Sequence, residues 1–145
     1  MSTSAPGTER ATVPLTVLSP RGVLYEGDVR MVIAPSVAGD VAILARHAPL
    51  EAILRVGETR VRLVDDSLIR FATGEGYMTV EGNNVLILVE QGEEASTIDR
   101  ERAQGALQRA ERQLASLPED DAVGRKSAER AKERAENRLR ISAEG

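Results

Sequence analysis

The sequence predicts an N-terminal antiparallel β-sandwich followed by a C-terminal two-helix antiparallel hairpin. Two observations carry this. As far as about Glu93, apolar residues come in short runs broken by turn residues, and one of the runs alternates with period two. That is the pattern of half-buried strands. Beyond Glu94 the apolar residues recur at steps of three and four, which places them on one side of a helix. The chain of 145 residues then divides into a flexible tail over 1–11, a sandwich over 12–92 and a hairpin over 93–145.

Taken in order, Val13 to Leu18 and Val29 to Ala34 form the first two apolar runs, followed by Val41 to Leu44 and Ala52 to Val56. From Thr59 to Val64 the alternation is strict, with Val61 and Leu63 on one face and Arg60 and Arg62 on the other. Asp65-Asp66 reads as a turn, and Leu68 to Ala72 resumes the strand pattern. Gly76 to Val80 and Val85 to Val89 flank Glu81-Gly82-Asn83-Asn84, a hairpin turn whose Gly and Asn accept positive φ. Gln91 to Thr97 reads as a linker. In the helical part, Ser96 with Asp99 three residues on resembles a capping box. Ala103, Leu107, Ala110, Leu114 and Leu117 form one seam; after Pro118-Glu119-Asp120-Asp121, Ala128, Ala131, Ala135 and Leu139 form a second. A seam built mostly of alanine brings helices close but buries little area, at about 25 cal/mol per Å². The helices either dock on the sandwich or detach from it.

Composition narrows the function. Aromatic residues are 2% of the chain, namely Tyr25, Phe71 and Tyr77, so no stacking platform for single-stranded nucleic acid exists. A net charge of -4, from 19 basic and 23 acidic residues, argues against nucleic acid as a partner. With no cysteine, disulfides, thiolate nucleophiles and Cys-based zinc sites are excluded. Met1 to Thr12 lacks an apolar signal region, and no apolar stretch is long enough to span a bilayer. The single histidine, His47, has no Ser, Cys or metal partner arranged by motif and reads as a structural hydrogen-bonding residue. Thr73-Gly74-Glu75-Gly76 lies between strands and reads as a turn, not a phosphate loop.

Gly39-Asp40-Val41-Ala42-Ile43-Leu44-Ala45-Arg46-His47-Ala48-Pro49-Leu50 resembles the Gly-Glu-Leu-Gly-Ile-Leu-Pro-Gly-His-x-Pro-Leu run of F-type ATP synthase epsilon subunits. Asp40 replaces Glu, Val41 Leu, Ala42 Gly, Ala45 Pro and Arg46 Gly. Val17-Leu18-Ser19-Pro20 with Tyr25-Glu26-Gly27-Asp28-Val29 resembles the opening strands of that family. Ala72 to Tyr77 resembles its Ser-Gly-Gly-Phe type turn, with Glu75 inserted. Ile98-Asp99-Arg100-Glu101-Arg102-Ala103 is similar to its Ile/Leu-Asp-x-x-Arg-Ala motif.

The resemblance implies a non-catalytic rotor subunit that needs no cofactor. Its sandwich would sit on the gamma subunit and the c-subunit ring, and its hairpin would extend along gamma to inhibit ATP hydrolysis. Extended-tail arginines would then meet acidic segments of the alpha/beta catalytic head. It also implies attachment to the bacterial plasma membrane, on the cytoplasmic side, only through the complex. ATP is the implied regulatory ligand, held by Glu93, Ile98, Asp99, Arg102, Ala103, Arg109, Arg134 and Arg138. The chemistry is consistent: Arg134 and Arg138 are four apart on one helix face, Arg102 and Arg109 seven apart on another, and guanidiniums suit phosphates. Exposed, carboxylate-paired arginines are the plainer reading of the same residues. Asp40 is the implied c-ring contact, with Arg46 a second. Two rivals stay open: a stand-alone nucleotide sensor, and an enzyme using His47.

Overall fold

The computed structural model describes residues 11–144, so the tail expected over 1–11 lies, apart from Ala11, outside the described residues. Ten strands come first: β1 (Val13–Ser19), β2 (Gly22–Val29), β3 (Met31–Ser36), β4 (Gly39–Leu44), β5 (Leu50–Leu54), β6 (Gly57–Arg62), β7 (Leu68–Thr73), β8 (Gly76–Glu81), β9 (Asn84–Val89) and β10 (Gly92–Glu94). A 3-10 turn, Ala95–Thr97, leads to α1 (Arg100–Ser116) and α2 (Ala122–Glu144).

The strands form two layers. One runs β10-β7-β6-β3-β4 and the other β5-β8-β9-β1-β2, joined where Ser36 of β3 pairs with Leu54 of β5. Pairing is antiparallel except between β1 and β9, which run parallel from Leu15↔Val85 to Leu18↔Leu88. No short turn links those two strands, so nothing forces them antiparallel. The predicted alternation holds in β6, where Thr59 and Val61 point inward and Arg60 and Arg62 outward. The β8–β9 turn is the tight one expected, with Gly82 and Asn83 at φ 56° and 61°.

Val13, Leu15, Val17, Val29, Val32, Ile43, Val61, Met78 and Ile87 lose all or nearly all exposure between the layers. Phe71 meets Tyr25 edge-on at 6.5 Å. The whole of this apolar cluster comes from the sandwich and none from the helices.

Four local readings are corrected. Gly22–Val29 is a strand that the apolar pattern did not mark, because it is mostly exposed. The Val29 to Ala34 run breaks at Arg30, between β2 and β3. Residues 91–97 are not a linker: Gly92–Glu94 adds an edge strand to β7, so the sandwich runs past residue 92 and the helices start at Arg100. Asp99, not Ser96, caps α1, its carboxylate accepting from the Arg102 N–H at 3.1 Å. Ser96 lies inside the 3-10 turn, and Ile98 is extended after it, so a helix entered at Ser96 would be interrupted.

Of the alanines of the predicted seams, Ala103, Ala110, Ala128 and Ala135 are buried, while Ala131 is half-buried. Asp121 caps α2 by accepting from the Gly124 N–H at 2.9 Å. Two arginines also tie the helices together. Arg125 at the start of α2 donates to the Leu114 and Leu117 carbonyls at the end of α1, at 3.1 and 3.3 Å. Arg100 at the start of α1 donates to the Leu139 carbonyl near the end of α2, at 2.9 Å. Arg125 places a cation where the α1 dipole is negative, whereas Arg100, reaching α2 a turn before its end, braces the two helices together.

Candidate functional site

α2 is the helix that meets the sandwich, and α1 packs on α2. Hydrogen bonds and ion pairs surround one buried apolar side chain of α2, Ile141, in this contact. Asn137, 3% exposed, donates from Nδ2 to the Gly57 carbonyl at 2.9 Å, and its Oδ1 accepts from Arg140. Arg70 of β7 donates to the Ile141 carbonyl at 3.2 Å while pairing with Glu58 at 2.6 Å.

Beside this contact lies a cleft of about 400 Å³ between hairpin and sandwich. Of the residues expected to hold ATP, it gathers Glu93 from β10, Asp99, Arg102 and Ala103 from the start of α1, and Arg134 and Arg138 from α2. The folding reason is local: β10 turns the chain back along β7, so the start of α1 faces the second half of the antiparallel α2. Two expected residues stand elsewhere. Ile98 is half-buried in the link after the 3-10 turn and does not line the cleft. Arg109, about 10 Å further along α1, faces a separate shallow groove with Ala106 and Arg112.

The charges are already partly matched. Arg138 lies 3.9 Å from the Glu93 carboxylate and donates to Gln91 Oε1 at 3.2 Å. Burial pushes the Arg138 guanidinium below its ordinary value; Glu93 opposes this, while the Arg102 and Arg134 charges add to it. Arg134 directs both Nε and Nη2 at one Glu75 oxygen, each at 3.1 Å. Among the described residues the side chains of Arg102 and Arg21 make no hydrogen bond or ion pair, so these are the cleft cations best placed for an anionic ligand. Asp99 spends a carboxylate oxygen on its own helix cap. Ala103, 1% exposed, lets the helix come close. Gln91, Asn137 and Arg21 also line the cleft and carry no sequence motif; the one hint was a polar Asn137 beside the apolar α2 seam.

Asp40 and Arg46 are not brought together. Asp40 follows the β3–β4 turn and pairs with Arg55 at 3.2 Å and Arg60 at 3.6 Å. Arg46 lies past the far end of β4, at φ 66°, its N–H donating to Asn83 Oδ1 at 2.7 Å. Six residue steps along a mostly extended chain separate them by roughly 15–20 Å. His47 Nδ1 lies 2.7 Å from the Ala48 carbonyl, the local hydrogen bond expected of it.

An unpredicted surface lies on the outer face of the second layer. Val23, Leu18, Leu88, Tyr77 and Ile53 stand in register across β2, β1, β9, β8 and β5. Val23 is 59% exposed, Ile53 61% and Leu88 42%. Monomeric proteins seldom leave a continuous apolar row bare unless something binds it. No helix among the described residues is long and apolar enough to cross a membrane, and no acidic or histidine cluster among them suits a metal.

Comparison with known proteins fits this geometry. Residues 12–95 match the family model of the ATP synthase delta/epsilon chain β-sandwich domain. The ATP synthase epsilon chain of Shouchella clausii is 38% identical over 132 residues, covering 91% of this chain and 96% of the relative. That of an Exiguobacterium species is 41% identical over 130 residues, 90% and 95% of the two chains. The fold also resembles a chain in the Euglena gracilis mitochondrial ATP synthase OSCP/F1/c-ring structure, with TM-score 0.75 and 20% identity over 100% of this chain and 89% of that one. A chain of the Tetrahymena thermophila mitochondrial ATP synthase central stalk and c-ring gives TM-score 0.57 at 14% identity, covering 93% of this chain and 99% of that one. A sandwich matched over its whole length, and relatives above 30% identity across nearly the entire chain, lead to one conclusion: this chain belongs to the family of ATP synthase epsilon chains.

Proposed function

We propose that the chain is a non-catalytic element of the synthase's central stalk, whose sandwich couples ring rotation to the catalytic head and whose hairpin moves between docked and extended positions. The observation that carries this is the division of the core: the apolar cluster closes within the sandwich without any helix residue, while α2 meets it through hydrogen bonds, ion pairs and the single buried Ile141. A hairpin so attached leaves without opening the core. The bare row from Val23 to Ile53 is the seat for the gamma subunit, and the exposed end carrying Asp40 meets the c-subunit ring. Extended, the arginines of α2 reach the alpha/beta head and inhibit hydrolysis. Membrane association, at the cytoplasmic face of the bacterial plasma membrane, runs through these partners alone. ATP is the regulatory ligand, with Arg102, Arg134 and Arg138 on its phosphates holding the hairpin docked.

The test is reconstitution into ATP synthase stripped of its epsilon chain. The chain restores ATP-driven proton pumping, and Ile53→Asp/Leu88→Asp does not. Failure of the unaltered chain to bind the stripped complex overturns the proposal. Calorimetric titration with ATP, with Arg134→Ala/Arg138→Ala as control, tests the ligand: heat lost in the variant supports it, and no heat at millimolar ATP removes it.

A further inference from the structure

The anion that Arg134 faces in the docked hairpin belongs to the protein. Glu75 projects from the short β7–β8 turn, and Arg134 grips one of its carboxylate oxygens through two nitrogens at 3.1 Å. Arg130, one turn earlier on α2, lies 3.7 Å from the other oxygen. The pair is sheltered, with the Arg134 side chain 24% exposed and that of Glu75 32%. A guanidinium held at that depth needs an acceptor, because solvent supplies fewer hydrogen bonds there.

The turn presents its carboxylate at a fixed place. The Gly74 N–H donates to the Gln91 carbonyl at 2.8 Å, and the Glu75 carbonyl accepts from the Glu90 N–H at 2.9 Å. Gly76 packs so tightly on β9 that any Cβ there would strike the Leu88 carbonyl oxygen. Fastened on both sides, the turn cannot carry Glu75 away from α2. Glu75 itself stands outside the cleft wall, whereas Arg134 lines the cleft. A phosphate entering the cleft therefore competes with Glu75 for Arg134, while Arg102 and Arg21 have side chains without a partner among the described residues.

We propose that Glu75 is a built-in counter-anion that latches the hairpin to the sandwich without nucleotide, so that ligand phosphates displace a carboxylate when they take Arg134. The inference rests on the docked and extended positions proposed above, and the experiment separates its fate from that of the nucleotide site.

The chain lacks cysteine, so fluorophores attached at Glu81→Cys on the sandwich and at the exposed Val123→Cys on α2 report docking by energy transfer in the full chain. Without nucleotide, the reference protein is docked at low salt and opens as salt rises, because such a pair is screened. Glu75→Gln lowers the docking equilibrium about five- to tenfold and flattens the salt dependence. The charge exchange Glu75→Arg/Arg134→Glu restores both. If Glu75→Gln docks as well as the reference protein, or if the exchange restores nothing, the latch is overturned. ATP added to Glu75→Gln gives the second reading. Recovery of docking upholds the nucleotide site, and no recovery removes that site while leaving the latch standing.

Discussion

Inside the sandwich, Val13, Leu15, Val61 and Ile87 are whole aliphatic side chains with essentially no exposure; between the helices, the buried groups are mostly the methyls of Ala103, Ala110, Ala128 and Ala135. At about 0.8 kcal/mol per buried CH₂, a sandwich residue contributes several times what a hairpin residue does. The sandwich is also knit from distant segments, with β1 beside β9, whereas α1 and α2 are sequence neighbours. One half is therefore slow to form and costly to open, and the other is local and cheap to rearrange. Placing the strong core in one half and polar attachment in the other allows a moving part to share a chain with a rigid one.

Three substitutions test that contrast, from the largest effect down. Ile87→Ala removes a fully buried side chain from between the layers and lowers unfolding stability by about 2–5 kcal/mol in denaturant titration; a smaller loss means the core is less closed than described. Asn137→Ala removes the shorter of the two side-chain hydrogen bonds to the Gly57 carbonyl, leaving that from Thr73 Oγ1 at 3.4 Å, and weakens the docked hairpin by about 0.5–1.5 kcal/mol. Hydrogen exchange then rises in α2 while β1 and β9 stay protected. Arg125→Ala removes the cap on α1 and costs about 0.3–1 kcal/mol, seen as faster exchange confined to the last turn of α1. A global loss of stability from either of the last two substitutions would erase the distinction between the halves.

The sequence made the contrast readable in part. Strict alternation in Thr59 to Val64 and the alanine seams marked both halves, because burial imposes a period on residue choice. β10 was hidden: it is a three-residue edge strand, Gly92–Glu94, whose pairing comes from β7 rather than from its own residues. The row from Val23 to Ile53 was hidden for the opposite reason. In Val85 to Val89 an unbroken apolar run suggests burial on both faces, yet Leu88 points outward. The cleft was legible through the family resemblance, which pointed to Arg134 and Arg138 and with which their helix spacing agreed. It was not where tertiary placement decided, as for Arg109, which faces another groove, and for Glu75, whose partners lie 59 and 55 residues away.

The two arginine ties between the helices have a mechanical meaning. Arg100 joins the helices at the open end of the hairpin and Arg125 at the closed end near Pro118. A pull along the helix axes loads both arginines at once, so the pair resists sliding as one strut. A sideways pull on the end of α2 loads Arg100 alone, then the alanine seam, then Arg125. The hairpin is stiff in shear and weak in peeling, so the direction of an applied force, more than its size, decides whether the two helices travel together or come apart.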